Sequence, residues 1–131
     1  MIGIRSKGQF DEKKIRKKAE TETFKNLGHA AATLRKIARR SIRRRKRPSP
    51  IGRPISTHTG AAKQAILYEV DRPHGPAIIG PVASRIGPAM RYHEHGGRRG
   101  KRRLPARPVM GPAMAKIGPR LSGYWAGSIR R

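Results

Sequence analysis

His93, Glu94 and His95 stand together in "YHEHGG" and are the side chains of this sequence most suited to chemistry. Two imidazoles two positions apart share one face of a strand, and such a pair can hold a metal ion. A complete site needs a third and a fourth donor. Glu69, Asp71, His58 and His74 are the remaining candidates, and nothing in their spacing brings them to the pair. The absence of cysteine removes thiolate sites and disulfides. The segment reads as a polar strand end leading into a Gly96-Gly97 turn, with no metal and no cofactor expected.

Catalysis finds less support. The chain has 7 Asp and Glu residues, and Asp11, Glu12, Glu20 and Glu22 sit in the lysine- and arginine-rich N-terminal third, where they read as ion-pair partners. "GPVASRIG" lacks the glycine spacing of a nucleophile elbow, and no glycine-rich turn leads into Lys-Ser or Lys-Thr. The expectation is a protein that is not an enzyme.

Phosphate chemistry is better served. The formal charge is +25, and it is spread along the chain: residues 1–47 hold 17 Lys and Arg against 4 acids, and residues 48–131 hold 15 against 3. A basic arm on a neutral domain would divide unevenly, so the folded body itself is basic. Such a chain repels itself and is drawn to polyanions. Two clusters stand out: Arg43, Arg44, Arg45, Lys46 and Arg47 at the end of "RRSIRRRKR", and Arg98, Arg99, Lys101, Arg102 and Arg103 in "RRGKRR". Neither has interleaved aromatic residues for stacking on single-stranded bases, so contact with nucleic acid would be with the backbone of a duplex and independent of its sequence.

The elements that must position these residues follow from the pattern. Ile2 and Ile4 alternate as in a short edge strand. Asp11 reads as a helix N-cap, with Phe10 and Ile15 at the spacing of a hydrophobic staple. Ile15, Ala19, Phe24, Leu27, Ala31, Leu34, Ala38 and Ile42 then give one apolar stripe, with Lys25, His29, Lys36 and Arg40 on the outer face. Thr21, Thr23 and Gly28 weaken the middle, so two helices joined near Thr23 remain open, and Pro48 is the expected stop. Residues 47–60 read as an exposed Pro/Gly loop. Residues 66–71 and 76–82 read as an antiparallel pair, "RYHEH" as a further strand, 98–103 as an exposed loop, "LPARP" as extended, and 110–121 as a short helix interrupted by proline.

The expected architecture is a single α+β domain over 1–131: a long amphipathic helix packed on a small antiparallel β-sheet, with a short C-terminal helix and long basic loops. Aromatic content is 5% and apolar content 35%, low enough that copies of the chain are expected to complete one another's cores. The first residues lack the apolar core of a signal peptide, and no stretch approaches a membrane span, so the chain reads as soluble and made in cytoplasm, with no membrane partner.

Four segments, read in order, resemble one family. "RRSIRRRKRPSPIGRPISTHTGAAKQAI" is similar to the region of phage neck and tail-completion proteins in which a basic helix end leads into a Pro/Gly loop, a Thr-Gly turn and a strand. "AIIGP" resembles the next strand of that family, "YHEHGG" its aromatic, His-Glu and glycine segment, and "LPARPVMGPAM" the segment that opens its last helix. Order and spacing agree from about residue 24 onward. Val109 and His95 stand where the family commonly has aromatics, and Ala61 and Ala62 where a leucine is frequent. The resemblance implies a small structural protein of the tailed-phage virion, one of the minor tail or virion-morphogenesis proteins. It implies a tail-completion or tail-terminator role at the head–tail junction: a homo-oligomeric ring, by resemblance of six subunits, joined to connector or stopper and tail-tube proteins. Double-stranded DNA would pass non-specifically through its lumen. It marks Thr59, Gly60, Glu94, Pro105, Arg107, Pro108 and Met110 as assembly or docking residues, with Arg107 an inter-subunit salt-bridge or carbonyl ligand where it is not simply exposed.

The competing reading is a basic, sequence-independent nucleic-acid-binding protein of the ribosome-associated or nucleoid type. Composition alone favours it. Those four ordered motifs have no reason to exist in that class.

Overall fold

The computed structural model describes residues 11–71 and 75–128 of the chain. The N-terminal strand expected at Ile2 and Ile4, the staple residue Phe10, and His74 lie outside the described residues.

Helix α1 runs unbroken over Glu12–Ser41, with the Asp11 side chain accepting from Lys14 N at 3.1 Å as the expected cap. The two-helix possibility at Thr23 does not materialise. Thr21 and Thr33 each donate their hydroxyl to the carbonyl four residues back, at 2.9 Å, so these side chains are satisfied without opening the ladder. Burial is confined to the C-terminal part of the apolar stripe. Ala30, Ala31, Leu34 and Ala38 are buried, while Ile15 is exposed among the described residues.

The helix stops at Ser41, well before Pro48. Ile42 turns to extended geometry with φ −80° and ψ 115° and is fully buried. Continuing the helix through 43–47 would stack cations one turn apart, which is unfavourable. Instead β1 (Arg43–Arg44) pairs in parallel with β2 (Ser56–Thr57), so residues 45–55 leave from and return to a short ribbon.

Helix α2 (Ala61–Ala65) opens at Gly60, whose φ of +89° is a left-handed turn that suits glycine. It leads into β3 (Ile66–Val70), which pairs antiparallel with β4 (Ala77–Pro81) in the register Ile66↔Pro81 to Val70↔Ala77. That hairpin lies where the sequence placed it. Helix α1 packs on it, making the α+β layer expected. Ile66, Leu34, Ala38, Ile42 and Ala62 form the core there, together with Met90, Val109, Ala113 and Ile117 from the C-terminal half.

Three C-terminal expectations change or sharpen. After α3 (Ala83–Ile86), residues Ala89–His95 form helix α4, so "RYHEH" is not a strand. The alternation of types misled because Met90 and Glu94, one helical turn apart, are the positions that face the core and its neighbour. "RRGKRR" is not an open loop but a hairpin: β5 (Gly97–Arg99) pairs with β6 (Arg102–Leu104). Gly100 sits at φ +60° and Lys101 has no positive φ, the pattern of a type II′ turn. Finally α5 (Met110–Ile117) passes into a 3-10 helix over Gly118–Tyr124. Pro112 falls in the first turn of α5, where proline is tolerated, and the break expected within 110–121 comes at Gly118-Pro119, where the α-helix gives way to the 3-10 helix. No described helix is long and apolar enough to cross a membrane.

Candidate functional site

Helix α5 starts with a problem that its own sequence cannot solve. Its N-cap is Val109, whose side chain has no acceptor, and the first backbone N–H groups of a helix have no partner within the helix. Glu94, on the last turn of α4, resolves this from 15 residues away. Its Oε2 accepts from Val109 N at 2.7 Å and Met110 N at 3.0 Å, and its Oε1 accepts from Gly111 N at 2.8 Å. Pro112 has no N–H to satisfy, and Ala113 N makes the first intrahelical bond, to Val109 O. One carboxylate thus closes the whole helix start. Burial works against its ionisation, but the hydrogen bonds from Val109, Gly111 and Met110, with His95 nearby, outweigh it and hold its carboxyl below the usual carboxylate range.

The approach to α5 is tied down on its other side by Arg107. Its backbone N donates to His93 O at 2.6 Å, and its Nε donates to Ser49 O at 2.8 Å. Ala106 O accepts from Gly52 N at 3.0 Å. "LPARP", with half-buried Pro105 and Pro108, is therefore an extended strap between α4 and the 47–60 segment. Arg107, expected to reach another subunit or solvent, instead donates from its Nε to a carbonyl of its own chain and is half-buried. Val109 is fully buried, but Met110 is only half-buried. Thr59 and Gly60 lie apart from this joint: Thr59 Oγ1 accepts from Ala61 N, Thr57 Oγ1 accepts from Gly60 N, and together they build the start of α2.

The two basic clusters are separate surfaces. Arg43 and Arg44 are exposed on β1, with Arg44 Nε donating to His58 O at 3.0 Å. Arg45, Lys46 and Arg47 face a depression of about 260 Å³ shared with His58, His93 and Arg107. On the hairpin, Arg98 stands opposite Arg103 and Arg99 opposite Arg102, with Lys101 in the turn, all exposed. Like charges directly opposite weaken a two-stranded ribbon.

His93 and His95 do not share a face. On a helix, positions two apart point in nearly opposite directions, so the pairing expected of a strand is lost. Among the described residues, no group of three His, Asp or Glu side chains gathers to hold a metal ion. His93 Nδ1 is buried without a hydrogen-bond partner, and burial together with Arg107 lowers its pKa.

Sequence reasoning missed an apolar groove of about 950 Å³ between β4, α4 and α5, lined by Leu34, Ile78, Ile79, Met90, Met110 and Met114. Ile78 is 66% exposed and Met114 48% exposed at its rim. The alternation in "AIIGP" hinted that one isoleucine would face outward. No family model, curated protein or solved structure matches this chain.

Proposed function

We propose that this chain is a structural protein of a tailed-phage head–tail junction, its copies closing into a ring around the DNA path and joining head to tail. The observation that carries this reading is the segregation of its surfaces. A chain of net charge +25 keeps a mainly apolar groove, with Ile78 and Met114 at its rim and Arg91, Glu94 and His95 the ionisable residues of its lining, on the side formed by β4, α4 and α5. Apolar surface of that kind is what a second copy covers. The exposed arginines of the β5–β6 hairpin and of β1 supply backbone-only contacts, weak and screened by salt, which let duplex DNA move past. The Glu94 clamp also fits: it joins "YHEHGG" to "LPARPVMGPAM", the two segments on which the family resemblance leans most, into one unit.

The test is mass measurement at several protein and salt concentrations, alone and with neck partners, followed by electron microscopy of the product. A closed ring, of six copies by resemblance, is expected. A monomer under all these conditions that still binds duplex DNA would overturn the reading in favour of a basic nucleic-acid-binding protein.

A further inference from the structure

Arg35 and Arg39 from α1 and Arg85 from α3 converge on the end of α2. Arg39 Nη2 and Arg85 Nη1 both donate to Gln64 O, at 3.3 and 3.4 Å, and Arg35 Nε donates to Ile66 O at 3.0 Å. Two guanidinium groups therefore share a single carbonyl oxygen. Arg35 and Arg39 line a depression of about 510 Å³ together with Lys36, Arg40 and Lys63. None of these six cations is ion-paired to a carboxylate among the described residues. Backbone carbonyls hold the arginines in place, yet they carry no net charge to balance them.

A second observation points to a missing ligand. Arg39 Nε is buried and has no hydrogen-bond partner. A buried, unpaired N–H on a charged group is costly, and native structures rarely leave one. Burial, followed by Arg35 and Arg85, also lowers the proton affinity of Arg39. Arg39 as a whole is only half-buried, so a turn of its guanidinium would bring this N–H to an oxyanion in the depression, whose charge would also offset the repulsion. Phosphate suits the site better than a carboxylate. It has more oxygens to share among several donors, and guanidinium forks match its geometry. Arg35 and Arg39 are one helical turn apart, and Lys36 and Arg40 repeat that spacing beside them. The row leads towards the exposed Arg43 and Arg44.

We propose that the depression between α1 and α2, with Arg35 and Arg39 in its wall and Arg85 meeting Arg39 on Gln64 O beside it, is a phosphate-binding site. Its ligand is a backbone phosphate of nucleic acid or a free phosphate. The site stands apart from the virion role and does not depend on it.

The first experiment uses the unaltered protein. The Arg39 Nε–H resonance is followed while inorganic phosphate is added, against sodium chloride at the same ionic strength. A saturable shift in phosphate alone is expected; its absence overturns the proposal. The second compares binding of a short DNA duplex across salt concentrations for the wild type and for Arg39→Gln with Arg85→Gln. If backbone phosphate is the ligand, the slope of log affinity against log salt falls by about 0.9 for each phosphate no longer neutralised. A saturable phosphate shift with an unchanged duplex slope supports the site and assigns it to free phosphate. Should the double variant fail to fold, the wild-type titration still decides.

Discussion

Replacing Glu94 by Ala strikes the point where α4, the 105–108 strap and α5 meet. Three backbone donors lose their acceptor together. The amide of exposed Gly111 can turn to water, but Val109 is fully buried and Met110 half-buried, so theirs cannot do so freely. At ~1–3 kcal/mol for each buried donor left unpaired, discounted because Glu94 is itself half-exposed, the loss comes to about 3 kcal/mol. That is a large share of the stability of a domain of this size. At ~3 °C per kcal/mol, the melting temperature should fall by about 10 °C. Glu94→Gln keeps one acceptor oxygen and should lose about 1 kcal/mol. Circular dichroism melts at several pH values provide the assay. The folded pKa of Glu94 is depressed, so as pH falls the unfolded chain takes up the proton first. The stabilisation is therefore complete above the unfolded value of ~4.3 and is lost as pH falls through the lower folded value. The gap between wild type and Glu94→Ala should stay constant from neutral pH down to about the unfolded value of ~4.3 and narrow below it, as pH falls towards the folded value. A variant melting within about 2 °C of wild type, or a gap that persists in acid, would refute the capping role.

Val109→Asp puts a charge at a fully buried core position and should unfold the subunit, whereas Met110→Asp, at the half-buried groove wall, should leave a folded protein that no longer self-associates; melts and mass measurement separate the two. Replacing Arg99 and Arg102 by Thr removes a like-charge pair across the hairpin. Amide exchange there should slow, while the salt slope for duplex DNA flattens by about 0.9 for each phosphate that these arginines neutralise. Gly60→Ala meets open space and should cost only the left-handed backbone, about 1 kcal/mol in denaturant unfolding. Gly96→Ala should cost more, because at φ +70° its added carbon would lie 3.1 Å from Leu104 O and 3.2 Å from Ala106 N, backbone atoms that cannot step aside.

Local signals in the sequence determined much of the frame. Asp11 and a repeating apolar stripe specify α1, because both act within a turn or two of the chain. The β-branched and aromatic runs either side of "RPHG" specify the β3–β4 pair. The basic character of the whole surface is composition alone. Local pattern failed where two periods coincide: "RYHEH" alternates like a strand, yet Met90 and Glu94 also lie one helical turn apart, and packing against the core chose the helix. It failed again at 98–103, where like charges argue against pairing and a glycine turn nevertheless closes the ribbon. The site itself depended most on the tertiary fold. No spacing rule links Glu94 to amides 15 to 17 residues onward, although a valine N-cap with proline three positions later signals a helix that must borrow its acceptor. Arg35, Arg39 and Arg85 are separated by up to 50 positions in sequence. One turn of α1 brings Arg35 and Arg39 together, but Arg85 joins them only because α1, α2 and α3 pack together, which makes Arg39 and Arg85, 46 positions apart in sequence, neighbours on one carbonyl oxygen.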